Sequence, residues 1–129
     1  MKVTIQRKPI MTGRLFGKAK EHPTEKYIYL SVIFTEEEKE IIKRGLMETY
    51  FEFPENTVSE GGSRNFPFFL FFNPDYQNED GFFFPFYPRN QNEMSYMNTE
   101  KAVENMLRTL SDMIKNLQQH PTGKKELDL

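Results

Sequence analysis

"KYIYLSVIFTEEE", residues 26–38, sets a strand signal directly against a helix signal. Across 26–35 the side chains alternate, with Ile28, Leu30, Val32 and Phe34 on one side and Tyr27, Tyr29, Ser31 and Ile33 on the other. That is the period of two expected of a β-strand. Both sides are rich in apolar or aromatic groups, which places the strand in the middle of its sheet. Thr35 then stops it. A threonine with Glu38 three residues on forms a capping box, and the acidic run Glu36–Glu38 suits the positive end of a helix dipole. A helix over about 36–46 follows, burying Ile41, Ile42 and Leu46, with Gly45 at its end. Capping accounts for the three glutamates without any catalytic role.

Upstream, "KVTIQRK" (2–8) alternates again, Val3 and Ile5 against Lys2, Thr4 and Gln6, and Pro9 marks its end. "TGRLFGKAK" (12–20) reads as a second, irregular strand pairing back, and "HPTE" (22–25) as the next break. This part of the chain is basic. Residues 1–26 hold seven Lys and Arg against Glu21 and Glu25, whereas the remainder holds ten basic and seventeen acidic groups. Solvated strand faces explain the asymmetry. The sharper alternative is a nucleic-acid contact through Arg7, Lys8, Arg14, Lys18 and Lys20, with Tyr27 and Tyr29 beside them.

Downstream, "METYFEF" (47–53) is a further strand and 54–65 a polar loop. Its "GGSR" lacks the spacing and the lysine of a phosphate-binding loop. Residues 65–90 carry nine of the thirteen phenylalanines and four of the eight prolines. Two aromatic segments, 66–72 and 82–87, flank the turn-rich "NPDYQNEDG", which predicts a long-looped hairpin. Neither segment has a polar face. Prolines 67, 74, 85 and 88 favour an edge position for the hairpin. One face can lie under a helix; the other needs a cover, and Phe69, Phe71, Phe83 and Tyr87 are the residues expected to meet it. Exposed together, such rings would form a patch of roughly 500 Å², near the upper end for soluble monomers.

The last element has apolar residues at Val103, Met106, Leu107, Leu110, Met113, Ile114 and Leu117, all offsets of three and four. They define one stripe of a helix over about 99–119, ended by Pro121 and Gly123, with 121–129 as a mobile tail. The whole reads as one α+β domain: a largely antiparallel sheet of five or six strands, a short helix, and a long C-terminal helix packed on the sheet.

Chemistry finds little support. The chain has no cysteine, and its two histidines, His22 and His120, stand beside prolines with no ligand spacing. Aligning Gly81 to the glycine of a calcium loop puts Tyr76 and Tyr87 where acidic ligands belong. No serine sits in a nucleophile elbow, and no dinucleotide or phosphate-loop signature occurs. No metal or cofactor is expected. No apolar run reaches the ~20 residues of a membrane span, and a leader is not apparent, so the expectation is a cytoplasmic protein. The functional expectation is a small non-enzymatic interaction module, self-associating as a homodimer or binding another protein through the 66–87 hairpin. An accessory or inhibitor protein of a bacterium or mobile element would have this size and acidity. Residues 54–100 carry only Arg64, Arg89 and no lysine against seven acids, which argues against nucleic acid on the aromatic region itself.

Overall fold

Ile28, Leu30 and Val32 have no exposed surface, and Phe34 almost none. Burying four such side chains contributes about 6–12 kcal/mol gross, which fixes the orientation of the strand that carries them. The computed structural model describes residues 1–13, 19–52, 54, 57, 65–68, 72, 82–119 and 128. Strands β1 (Lys2–Thr12), β2 (Lys20–Ile33) and β5 (Phe82–Phe86) form an antiparallel sheet in the order β1-β2-β5. The short strands β3 (Tyr50–Glu52) and β4 (Asn65–Pro67) pair separately. Helix α1 spans Glu36–Gly45 and α2 spans Glu93–Gln119. The class, the antiparallel pairing, the central place of β2 and the long C-terminal helix agree with the sequence reading.

One sheet of five or six strands does not form. The described strands divide into a three-stranded and a two-stranded sheet. Nor does the predicted hairpin of 66–72 with 82–87 form among the described residues. β5 pairs with β2, placing Phe82, Phe84 and Phe86 opposite Val32, Leu30 and Ile28, while β4 pairs with β3. Phe68 and Phe72, four residues apart, have helical backbone and sit in the core, where their rings lie 5.2 Å apart. The reason is non-local. Matching Phe82, Phe84 and Phe86 to the buried side of β2 completes a core that pairing with 66–72 would leave open.

The "HPTE" break is a bulge rather than an end. Pairing passes from Pro9–Lys26 to Met11–Glu21, so His22, Pro23, Thr24 and Glu25 face a single residue, Ile10. Pro23 has no N–H to lose, and Nδ1 of His22 accepts the N–H groups of Thr24 (3.2 Å) and Glu25 (2.9 Å). Thus β1 and β2 run past the predicted stops at Pro9 and residue 22. Residues 14–18, most of the irregular strand predicted over 12–20, lie outside the described residues.

α1 begins as predicted. The N–H of Glu38 donates to Oγ1 of Thr35 (3.1 Å), and the N–H of Thr35 donates to Oε1 of Glu38 (2.9 Å). Burial is the largest single influence on the Glu38 carboxyl and pushes it upward. The Met1 amino group at 2.7 Å and the Thr35 N–H together outweigh it and hold the pKa below the ordinary value. Gly45 is the last helical residue. A Cβ there would lie 2.8 Å from Cδ1 of Leu117, so close approach of α2 is what the glycine permits.

α2 starts six residues before the predicted Thr99. Oδ1 of Asn92 accepts the Ser95 N–H (2.8 Å), a cap of ordinary geometry. Ser95 and Thr99 belong to the buried stripe and disguise it as polar; the Thr99 hydroxyl donates to the Ser95 carbonyl (2.8 Å), so its burial leaves nothing unsatisfied.

Thr35→Ala removes the side-chain half of the α1 capping box and is expected to cost about 1 kcal/mol, with Thr35→Ser close to neutral. Urea denaturation measures this; an unchanged midpoint for the alanine variant would show that the cap contributes nothing.

Candidate functional site

Because β2 alternates, burying 28, 30, 32 and 34 turns 27, 29, 31 and 33 to the opposite face. The register adds Lys2, Thr4, Gln6 and Lys8 of β1 and Phe83 and Pro85 of β5 to that outer face. Over the paired positions of 2–8, 27–33 and 83–85 it carries two cations and no carboxylate. Both helices contribute to the core on the inner side, through Ile41 and Ile42 of α1 and Val103, Leu107, Leu110 and Ile114 of α2. Among the described residues neither helix crosses the outer side.

The outer face is a continuous group of rings. Tyr29 and Phe83 stack with centroids 5.7 Å apart, Tyr27 meets Tyr29 edge-on at 6.1 Å, and Tyr27 meets Tyr87 at 5.6 Å. Each such pair contributes about 0.5–1.5 kcal/mol beyond area burial, so the cluster holds itself in a fixed shape. Burial among its neighbours pushes the Tyr27 phenol above its ordinary pKa, and Tyr87 and Tyr29 add to that shift. Nζ of Lys8 lies 4.0 Å from the Tyr29 ring centroid. Phe83 and Tyr87 remain 38% and 45% exposed.

Of the predicted contact residues, the structure therefore joins Phe83 and Tyr87, and adds Tyr27 and Tyr29 as their partners. Phe69 and Phe71 lie outside the described residues, as do Arg14 and Lys18. Lys8 reaches the ring cluster. Lys20 is exposed at the far end of the hairpin, where its carbonyl accepts the Thr12 hydroxyl (2.9 Å).

Arg7 is not on this face. It pairs with Ile28, on the inner side, and forks across two carboxylates of α2. Nη1 donates to both oxygens of Glu93 (2.9 and 2.7 Å), while Nε and Nη2 donate to Oε1 of Glu100 (3.1 and 2.6 Å). Its guanidinium carbon lies 5.5 Å from the Tyr96 ring. The two carboxylates hold the guanidinium pKa above its usual range. Nearby, the Gln91 amide bonds both backbone groups of Lys26 (2.7 and 2.9 Å) as a strand would, and its Oε1 also accepts the Tyr96 hydroxyl (2.6 Å). These contacts anchor the start of α2 to the inner side of β1 and β2. They also remove Arg7 from any phosphate contact.

A groove of about 1000 Å³ separates α2 from the β3–β4 ribbon, lined in part by Phe51, Phe68, Lys101 and Met106. No cluster of three or more His, Asp or Glu side chains suited to a metal occurs among the described residues. Among the described residues no helix is long and apolar enough to cross a membrane. Comparisons with protein families, curated proteins and solved structures find no match.

The hydrogen bonds from Arg7 lower the Glu93 pKa. A lowered folded pKa gives stability that is complete above the ordinary carboxylate value and lost as pH falls through the lowered one. Arg7→Met is therefore expected to be less stable near neutrality and to lose less stability on acidification than the parent. Thermal unfolding followed from neutral to acid pH tests this, and parallel acid limbs would contradict it.

Proposed function

We propose that this chain is a non-enzymatic interaction module that associates with a second copy of itself through the outer face of its three-stranded sheet. The observation that carries the reading is the ring cluster of Tyr27, Tyr29, Phe83 and Tyr87, which neither helix crosses among the described residues and in which Phe83 and Tyr87 are exposed. It replaces the predicted 66–87 hairpin as the surface while keeping Phe83 and Tyr87 in it.

Three features support a second copy as the occupant. The sheet's edges, β1 and β5, carry Pro9 and Pro85, which lack an N–H for strand addition, so contact through the face is favoured over contact through an edge. The face is asymmetric, with Lys2 and Lys8 on the β1 side and the rings on β2 and the β5 side. A two-fold arrangement sets the lysine row of one copy over the ring row of the other, repeating between chains the Lys8–Tyr29 contact already made within one. The opposite orientation sets lysines against lysines.

Size fixes the strength. Eight residues at ~3.4 Å by three strands at ~4.8 Å give a face of roughly 400 Å² per copy. A stable interface uses about 800 Å² per partner. The association is accordingly weak and exchanges readily, forming roughly between micromolar and millimolar concentration.

A single-stranded nucleic acid is the second reading, favoured by Lys8 above a ring on a face without carboxylates. It is weaker because Arg7 is engaged with Glu93 and Glu100, leaving Lys2 and Lys8 as the cations beside the rings among the described residues.

Light scattering across a concentration series is expected to show mass rising toward twice the monomer's. Phe83→Ser and Tyr87→Ser should abolish the rise at a cost of about 1–2 kcal/mol each from the lost ring contacts, whereas Phe82→Ser, from the buried side, should cost several kcal/mol. A strict monomer at every concentration overturns the reading. Oligonucleotide retention that collapses between ~50 and ~200 mM salt would put nucleic acid in its place.

A further inference from the structure

The groove beside α2 has an uneven lining that the sheet face does not explain. Along α2 its wall is mainly polar first, with Asn98, Lys101 and Asn105 around Ala102, and mainly apolar afterwards, with Met106, Leu110 and Met113 around Thr109. These positions recur at helical spacing over about 22 Å of helix. Across from them stand Phe51, Phe68 and Phe72. Arg89, just before α2, brings a second cation to the groove.

Lys101 and Arg89 are both exposed, and neither forms an ion pair among the described residues. Glu52 is the one carboxylate on the described wall, against the two cations there. The volume, about 1000 Å³, lies at the top of the usual range for small-molecule sites, roughly 300–1000 Å³. Two methionines among aromatic rings make an apolar half that adapts to its occupant's shape. A ligand that matches both halves has one anionic group and an apolar body.

We propose that this groove binds an amphipathic anion. Its carboxylate or phosphate sits with Lys101 and Arg89, and its alkyl chain runs along α2 against Phe51, Met106 and Met113. The site lies on the inner side of the sheet and does not depend on self-association through the outer face.

Isothermal titration of the full chain with dodecanoate, dodecyl phosphate and dodecyltrimethylammonium tests the proposal. At least one of the two anions is expected to bind with one site per chain. Comparing them tells which head group is preferred. The cationic analogue should bind at least about tenfold more weakly. Lys101→Glu combined with Arg89→Glu, both at exposed positions, should weaken the anion at least about tenfold while leaving the unfolding midpoint near the parent value. The methyl resonances of Met106 and Met113 should shift on titration in the parent. Failure of both anions to bind, equal binding of the cation, or affinity unmoved by the double reversal would each overturn it.

Discussion

Everything in this fold depends on which side of β2 is buried. Ile28, Leu30, Val32 and Phe34 make the inner side the floor of the core, the aromatic residues of β5 extend that floor, and α1 and α2 close over it. A strand cannot bury one side without presenting the other. From residue 27 on, the odd-numbered residues of β2 are Tyr27, Tyr29, Ser31 and Ile33 rather than the charged groups usual on a water-facing side. The demand of the core thus creates the aromatic outer face, and β5 enlarges it by alternating in the same way.

Charge is sorted by the same geometry. Arg7 and Lys8 are neighbours in sequence yet fall on opposite faces of β1. Arg7 ties the strand to Glu93 and Glu100 of α2, and Lys8 lies over Tyr29. A chain with a net charge of −2 therefore presents two lysines and no carboxylate over positions 2–8, 27–33 and 83–85 of its outer sheet face. Counting acids along 54–100 misses this, because Glu93 and Glu100 belong to the layer behind the sheet.

Local signals were legible in the sequence: the alternation of 26–35, the capping box at Thr35, and the apolar stripe of α2. What was not legible depended on distant partners or on polar groups satisfied locally. Nothing in "FFFPF" (82–86) states that its partner is β2 rather than the equally aromatic 66–72. Ser95 and Thr99 hide the first turns of α2 because a serine carbonyl accepting a threonine hydroxyl looks, in sequence, like two solvated residues. Likewise "HPTE" carries every mark of a chain break, and only the His22 ring accepting two N–H groups shows why β2 continues through it. As for the site, Phe83 and Tyr87 could be named from the absence of a polar face. Their grouping with Tyr27 and Tyr29 required the register.

The central claim is that the outer face of the sheet is a contact surface between copies of this chain. An isotope-filtered NOE experiment on a mixture of labelled and unlabelled protein at millimolar concentration tests it most directly. The account predicts intermolecular NOEs from the rings of Tyr27, Tyr29, Phe83 and Tyr87 to the same cluster and to the Lys2 and Lys8 side chains. Intermolecular NOEs confined to the strand edges or to α2, or none at all, would contradict it.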